Sequence, residues 1–136
     1  MVSLRSGVTD PNDGQKLDSA IQHLGNSVSA SNWTNNSHPT LQGGNTVFGE
    51  AANAVSSLVS IIQDTHGPVP NSTVQGFINS IVGAMRQVAT IAISDHPSSS
   101  HLSSANNELA QGDANASSQP ANAIGHYKNA WSQALQ

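Results

Sequence analysis

The chain lacks cysteine and holds few charged residues. Its 136 residues include four Lys or Arg and eight Asp or Glu, for a net charge of −4. Without cysteine, disulfides, thiolate metal sites and cysteine nucleophiles are excluded. The negative charge and the absence of a basic run argue against nucleic acid as a partner, because nucleic-acid binding depends on Lys and Arg that neutralise phosphates.

Long apolar runs and strand-like patterns are also missing. No apolar run reaches the roughly 20 residues of a membrane-spanning helix, and no basic-then-apolar leader begins the chain. No segment alternates apolar and polar residues with a period of two, as a half-buried strand would. Ser and Asn fill most polar positions, while apolar residues recur with the period of an α-helix. These patterns predict one all-α domain over residues 1–136, with no membrane span and a flexible segment at 1–9.

The apolar periodicity predicts about five helices packed as an antiparallel bundle. The first begins at the N-cap Asp10 and at Pro11, because Pro suits the first helical position. The second and third helices form a central long hairpin at 45–96, connected by HGPVPN, and the last two form a shorter C-terminal hairpin. The predicted core residues lie on the apolar stripes: Leu17, Ile21, Leu24, Phe48, Val55, Leu58, Ile62, Phe77, Ile81, Met85, Val88, Tyr127 and Trp131.

The third helix illustrates what this core assignment implies. Phe77 and Met85 are eight residues apart and share its apolar face, so they are predicted to be packing residues and not the lining of a ligand pocket. A fully buried Phe77 would lose about 3–5 kcal/mol of stability on truncation to Ala.

Four stretches in order carry a family resemblance: DGQKLDSAIQHL, NWTNNSHPTLQGGNTVFGEAANAV, a long helix ending VATIAISD, and a hairpin with a Gly-Asp turn ending AIGHYKNAWSQAL. Over residues 13–135 the chain resembles a helical module that recurs, often at C-termini, in large secreted or surface proteins of bacteria. The final hairpin is similar to a tetratricopeptide-type helix pair. The chain departs from the family in two ways: Ser, Asn and Gln replace its Lys and Asp, and Gly43-Gly44 replaces a second His.

Two residues of the long first loop, Trp33 and His38, match the family pattern in type and spacing. One interpretation is a small recognition site. The other, which is favoured, is that Trp33 anchors the loop to the bundle while His38 bonds to the backbone, because a lone Trp in a polar loop is usually ordered by burial.

Metal binding and catalysis find little support in the residue spacing. The chain has six histidines: His23, His38, His66, His96, His101 and His126. No two of them are at i, i+4 and none is in a Glu-x-x-His arrangement, so we predict that the chain binds no metal and no cofactor. No Gly-x-Ser-x-Gly or Ser-x-x-Lys motif occurs, and Glu50 and Glu108 are the only glutamates. The free amides of residues 43–45 could bind an anion, but they are interpreted instead as the start of a helix. We therefore expect no enzyme activity.

Together these observations predict a non-catalytic spacer or docking module of a secreted or cell-surface bacterial protein, with other protein domains as partners. The resemblance implies the location. The alternative is a self-assembling subunit of an extracellular fibre or oligomer, since low charge weakens repulsion between copies. An enzyme or ligand carrier would need a cavity that a small Ala-rich core is not expected to leave.

Overall fold

The computed structural model describes residues 1–64 and 69–136. Within them the chain forms six α-helices: α1 (Val2–Ser6), α2 (Pro11–Ser27), α3 (Gly43–Gln63), α4 (Asn71–Asp95), α5 (Leu102–Asn115) and α6 (Pro120–Ala134). A 3-10 turn at Ala30–Asn32 leads into an antiparallel pair of very short strands, β1 (Trp33–Asn35) and β2 (His38–Pro39). The predicted all-α bundle is confirmed, and this small ladder is the strand element that the periodicity missed.

Local chemistry explains where the first helices begin. The Asp10 side chain accepts a hydrogen bond from the Asp13 amide at 2.9 Å, and Pro11 occupies the first turn of α2. Helix α3 begins at Gly43, two residues before the predicted start of the hairpin, because Thr40 accepts the Gly43 amide with its hydroxyl and the Gly44 amide with its carbonyl, both at 2.8 Å. His66, Gly67 and Pro68, the first half of the HGPVPN connection, lie outside the described residues.

The core forms where three helices meet. Helices α3 and α4 pack against each other and α6 packs against both, while α2 lies on α3 and α5 lies on α6. Among the described residues no extensive contact joins α2 to α4. One open side of the α3–α4 pair therefore remains between α2 and α4.

The predicted core residues divide into two groups. Eight are buried: Leu17, Phe48, Val55, Leu58, Met85, Val88, Tyr127 and Trp131. Five are only partly buried: Ile21, Leu24, Ile62, Phe77 and Ile81. Two of the partly buried residues, Leu24 and Ile81, lie on the open side between α2 and α4, so the fold covers less of these helices than the apolar stripes suggest.

The N-terminal segment is more regular than the flexible stretch expected at 1–9. Val2–Ser6 form α1, and Arg5 makes a bidentate pair with Asp18 of α2, with Nε–Oδ1 and Nη2–Oδ2 distances of 2.7 and 2.9 Å. The guanidinium lies against Gly14, where an added Cβ would stand 3.2 Å from it. The hydrogen bond from Arg5 lowers the pKa of Asp18.

Helix α4 is long and apolar enough to cross a membrane by length and composition alone. One third of its most apolar stretch is buried in the fold, and the core helix of a soluble protein passes the same test. The sequence expectation of no membrane span stays a prediction. What the structure adds is that α4 carries more apolar surface than its neighbours cover.

Truncation of Phe77 checks how fully α4 is packed. Because the side chain is only partly buried, Phe77→Ala is expected to cost about 1–2 kcal/mol, below the roughly 3–5 kcal/mol of a fully buried Phe. Denaturant unfolding of wild type and variant measures the difference. A loss at the upper end of the larger range would mean that another surface covers Phe77 in solution.

Candidate functional site

An open groove of about 840 Å³ lies between the end of α2, the 30–37 segment and α4. Its floor consists of Ala51, Met85 and Val88, which are buried. Apolar side chains form its walls: Leu24, Val28, Trp33, Ile81 and Ile91. The groove is open at the side of the bundle and is not an enclosed cavity of the core, and Met85, predicted as a packing residue, both packs in the core and lines this groove. Residue spacing places Met85 on an apolar face but does not show whether another helix covers that face.

Uncharged polar side chains complete the lining of the groove. They are hydroxyl and amide groups on its rim: Ser27, Asn35, Asn36, Ser37, Ser80 and Gln87. No Asp, Glu, Lys, Arg or His belongs to the lining among the described residues. The Ser27 hydroxyl is already engaged, because it donates to the Val47 carbonyl at 3.0 Å. The site is therefore apolar and electrically neutral.

Trp33 connects the loop to α2 and forms part of the groove at the same time. Its indole Nε1 donates to the Ser27 carbonyl at 2.8 Å, which satisfies a free carbonyl of the last turn of α2. The ring remains partly exposed and lines the groove. The anchoring and recognition interpretations of Trp33 are thus compatible in this arrangement.

His38 fastens the same hairpin to α4 without entering the groove. Its Nε2 lies 2.6 Å from Oδ2 of Asp95, and its Nδ1 lies 2.9 Å from both the Ser37 hydroxyl and the Asn35 side-chain oxygen. The expected bond from the His38 ring to the backbone is wrong, because all three ring contacts are with side chains. Asn35 shapes the turn by accepting the amides of Ser37 and His38. Trp33 and His38 therefore fix the two ends of one hairpin beside the groove.

Two other histidines also join neighbouring helices through a carboxylate. His23 Nδ1 lies 2.6 Å from Glu50 Oε2, between α2 and α3, and His126 Nδ1 lies 2.8 Å from Glu108 Oε2, between α6 and α5. The hydrogen bond from His23 lowers the pKa of Glu50. Each glutamate is held by a different histidine and neither lines the groove.

His96 and His101, the other histidines among the described residues, belong to no metal-binding cluster there. His96 donates from Nδ1 to the Ala92 carbonyl at 2.9 Å and caps the end of α4, and His101 is exposed before α5. Within residues 1–64 and 69–136, no group of three or more His, Asp or Glu side chains is arranged to hold a metal ion. The absence of metal, cofactor and catalytic activity stays a prediction.

Gly43 and Gly44 serve packing in this structure. Their amides are bonded to Thr40, and a Cβ on Gly44 would stand 2.1 Å from the Trp131 ring. A Cβ on Gly43 would stand 2.5 Å from the backbone of Asn32. The interpretation as a helix start therefore fits, and the signal that sequence reasoning missed is the pairing of a glycine with a distant Trp.

Comparison of the chain with protein-family models, curated proteins and solved structures finds no match. Functional inference therefore starts from the geometry of the groove.

Proposed function

We propose that this chain is a non-catalytic helical docking module of a secreted or cell-surface bacterial protein, and that it holds a partner protein in the α2–α4 groove. The observation that carries the proposal is the groove itself. Its volume of about 840 Å³ lies within the range of roughly 300–1,000 Å³ typical of binding sites, and its lining is mainly apolar with a few polar groups.

The chemistry of the lining favours binding over catalysis. The groove contains the hydroxyls of Ser27, Ser37 and Ser80, but no His, Lys or carboxylate belongs to the lining within the described residues. A serine nucleophile needs such a base within hydrogen-bond reach. The location outside the cell rests on the family resemblance, and protease treatment of intact producing cells would check it, since a surface module is cleaved while a cytoplasmic protein is protected.

A second candidate function is a self-assembling subunit, in which another copy covers the same surface. It is favoured by exposed apolar residues on the chain, since Val28 at the groove is 69% exposed and Leu41 is 74% exposed. The low charge of the chain would offer little repulsion between copies.

Sedimentation velocity over a wide range of protein concentrations separates the two functions. The docking proposal predicts a monomer at every concentration, because its partner is a different protein. An oligomer that grows with concentration would contradict it. Ile81→Lys then tests whether the groove is the interface between copies, since a charge placed in the groove should dissociate an oligomer that buries this surface.

A further inference from the structure

The groove follows α4 over a length suited to a short helix. Its lining on α4 runs from Ser80 to Ile91, which is about 17 Å at 1.5 Å per residue, or three turns. The apolar lining positions of α4 repeat with helical spacing: Ile81, Ala84, Met85, Val88 and Ile91. Opposite them, Leu24, Val28 and Trp33 provide the other wall.

Helix α6 shows how the α3–α4 pair receives a helix elsewhere in the fold. It packs against both α3 and α4, with Tyr127 and Trp131 buried. No residue of α5 or α6 lines the groove, so the groove is a separate seam of the same pair. At this second seam, α2 packs on α3 and makes no extensive contact with α4 among the described residues. The space for a further helix is therefore open.

Backbone hydrogen bonding favours a helix over an extended segment as the occupant. Most of the wall length belongs to helices α2 and α4, whose backbone groups are bonded within each helix, and β1, the strand beside the groove, is only three residues long. An extended peptide would leave many of its own amides and carbonyls without partners in an apolar groove, at a cost for each group. A helix satisfies them internally and presents side chains at i, i+3, i+4 and i+7.

The neutral lining restricts the composition of that helix. Lysine or glutamate beside its apolar face would lose water and gain no opposite charge, since none belongs to the described lining. Amides and hydroxyls would instead meet Asn35, Asn36, Ser80 and Gln87 on the rim. We propose that the groove binds a short amphipathic helix of a partner protein, about three turns long, whose apolar face is flanked by uncharged polar residues. This inference rests on the proposed docking function.

Titration calorimetry with synthetic peptides of about 14 residues tests the inference. All peptides carry Leu at i, i+3, i+4 and i+7, and the flanking positions are Gln and Ser in one peptide, Lys in the second and Glu in the third. We expect the neutral peptide to bind saturably and at least about tenfold more tightly than either charged peptide. A neutral peptide of scrambled order should bind no better than the charged ones.

A matched pair of variants locates the binding. Ala84→Phe fills the groove, whereas Ala114→Phe makes the same change at an exposed position of α5 that does not line it. We expect Ala84→Phe to lower the affinity for the neutral peptide by at least about tenfold, and Ala114→Phe to leave that affinity unchanged. Circular dichroism of both variants checks that they keep the wild-type fold.

Three outcomes would overturn the inference: no saturable binding of the neutral peptide, equal binding of the charged peptides, or equal effects of the two variants. 1-Decanol is a further probe of the groove. If the protein binds 1-decanol but no peptide, and Ala84→Phe abolishes that binding, the inference is overturned and the groove is assigned to a small uncharged amphiphile. If the inference fails while the protein remains monomeric in sedimentation, the docking proposal stands with a different partner. An oligomer that dissociates on Ile81→Lys would instead contradict the docking proposal.

Discussion

Gly44→Ala is expected to destabilise the protein by about 1–2 kcal/mol, although Ala is the better helix former. Gly44 lies in the first turn of α3, and an added Cβ would stand 2.1–2.6 Å from three atoms of the Trp131 ring. The rigid ring cannot yield as the end of a flexible side chain would, since Trp131 also packs against Phe48 with ring centroids 5.9 Å apart. Overpacking of this kind usually costs about 1–3 kcal/mol, and it opposes a gain of roughly 1 kcal/mol in helix propensity.

Gly49→Ala is the matched control for this prediction. Gly49 lies on the same helix, and a Cβ there would meet no atom within 4 Å, so the substitution should stabilise by about 0.5–1 kcal/mol. Trp131→Ala should cost about 3–5 kcal/mol of stability, because the side chain is only 5% exposed. Adding Gly44→Ala to Trp131→Ala should cost little more, since the clash is gone. Equal effects of Gly44→Ala and Gly49→Ala on the free energy of unfolding would contradict the close approach of the Trp131 ring to Gly44.

Asp13→Asn is expected to favour folding more at about pH 7 than at about pH 3, because it removes the charge of a buried carboxylate. Asp13 is fully buried in the first turn of α2, and neither carboxylate oxygen has a hydrogen-bond partner among residues 1–64 and 69–136. Lys16 Nζ is 4.0 Å from Oδ1 of Asp13 and lies closer to Asp64, at 3.3 Å from its Oδ2. Burial, followed by repulsion from Asp10 and Asp64, raises the pKa of Asp13. The charged form therefore opposes folding at neutral pH.

The pH dependence follows from the direction of that shift. Because the pKa of Asp13 is raised in the folded state, the unfolded chain loses this proton first as pH rises. The wild-type side chain thus opposes folding least below about pH 3.8, the ordinary value, and its penalty grows as pH rises through the folded pKa. The advantage of Asp13→Asn should be small at about pH 3 and largest at about pH 7.

Asp18→Asn on the same helix is the control with the opposite sign. The hydrogen bond from Arg5 lowers the pKa of Asp18, so its contribution is present above about pH 3.8 and is lost as pH falls through the folded pKa. Asp18→Asn should therefore weaken the protein slightly at neutral pH and have no effect in acid. Denaturant unfolding of the three proteins across pH measures both trends. A pH-independent effect of Asp13→Asn would show that the Asp13 carboxylate is not desolvated.

The period of the apolar residues predicts most of this fold because each helix carries its own stripe and cap. Asp10 and Pro11 give a local signal for the start of α2, and the structure uses both. The early start of α3 has a local part, because Thr40 accepts hydrogen bonds from the amides of Gly43 and Gly44. It also has a distant part, because only a glycine at position 44 leaves room for the Trp131 ring, 87 positions later in the chain. Spacing within one helix cannot report that contact.

The candidate site was harder to predict for the same reason. Trp33 stands out in a polar loop, and the structure places it at the groove. The groove exists because α2 packs on α3 and leaves one face of α4 open, and no residue pattern within α4 encodes the position of α2. His38 is likewise identifiable from the sequence, but its partner Asp95 is 57 positions away, so its side-chain contact could not be read from the loop.

Site-specific photo-crosslinking in cells that produce the protein tests the central claim most directly. A photoreactive phenylalanine analogue is placed at position 84 in the groove and, as the control, at position 114 on exposed α5. The account predicts that position 84 is joined to a helical, apolar segment of a different protein, and that position 114 gives no such product. The same products from both positions, or a product at position 84 that joins two copies of this chain, would contradict it.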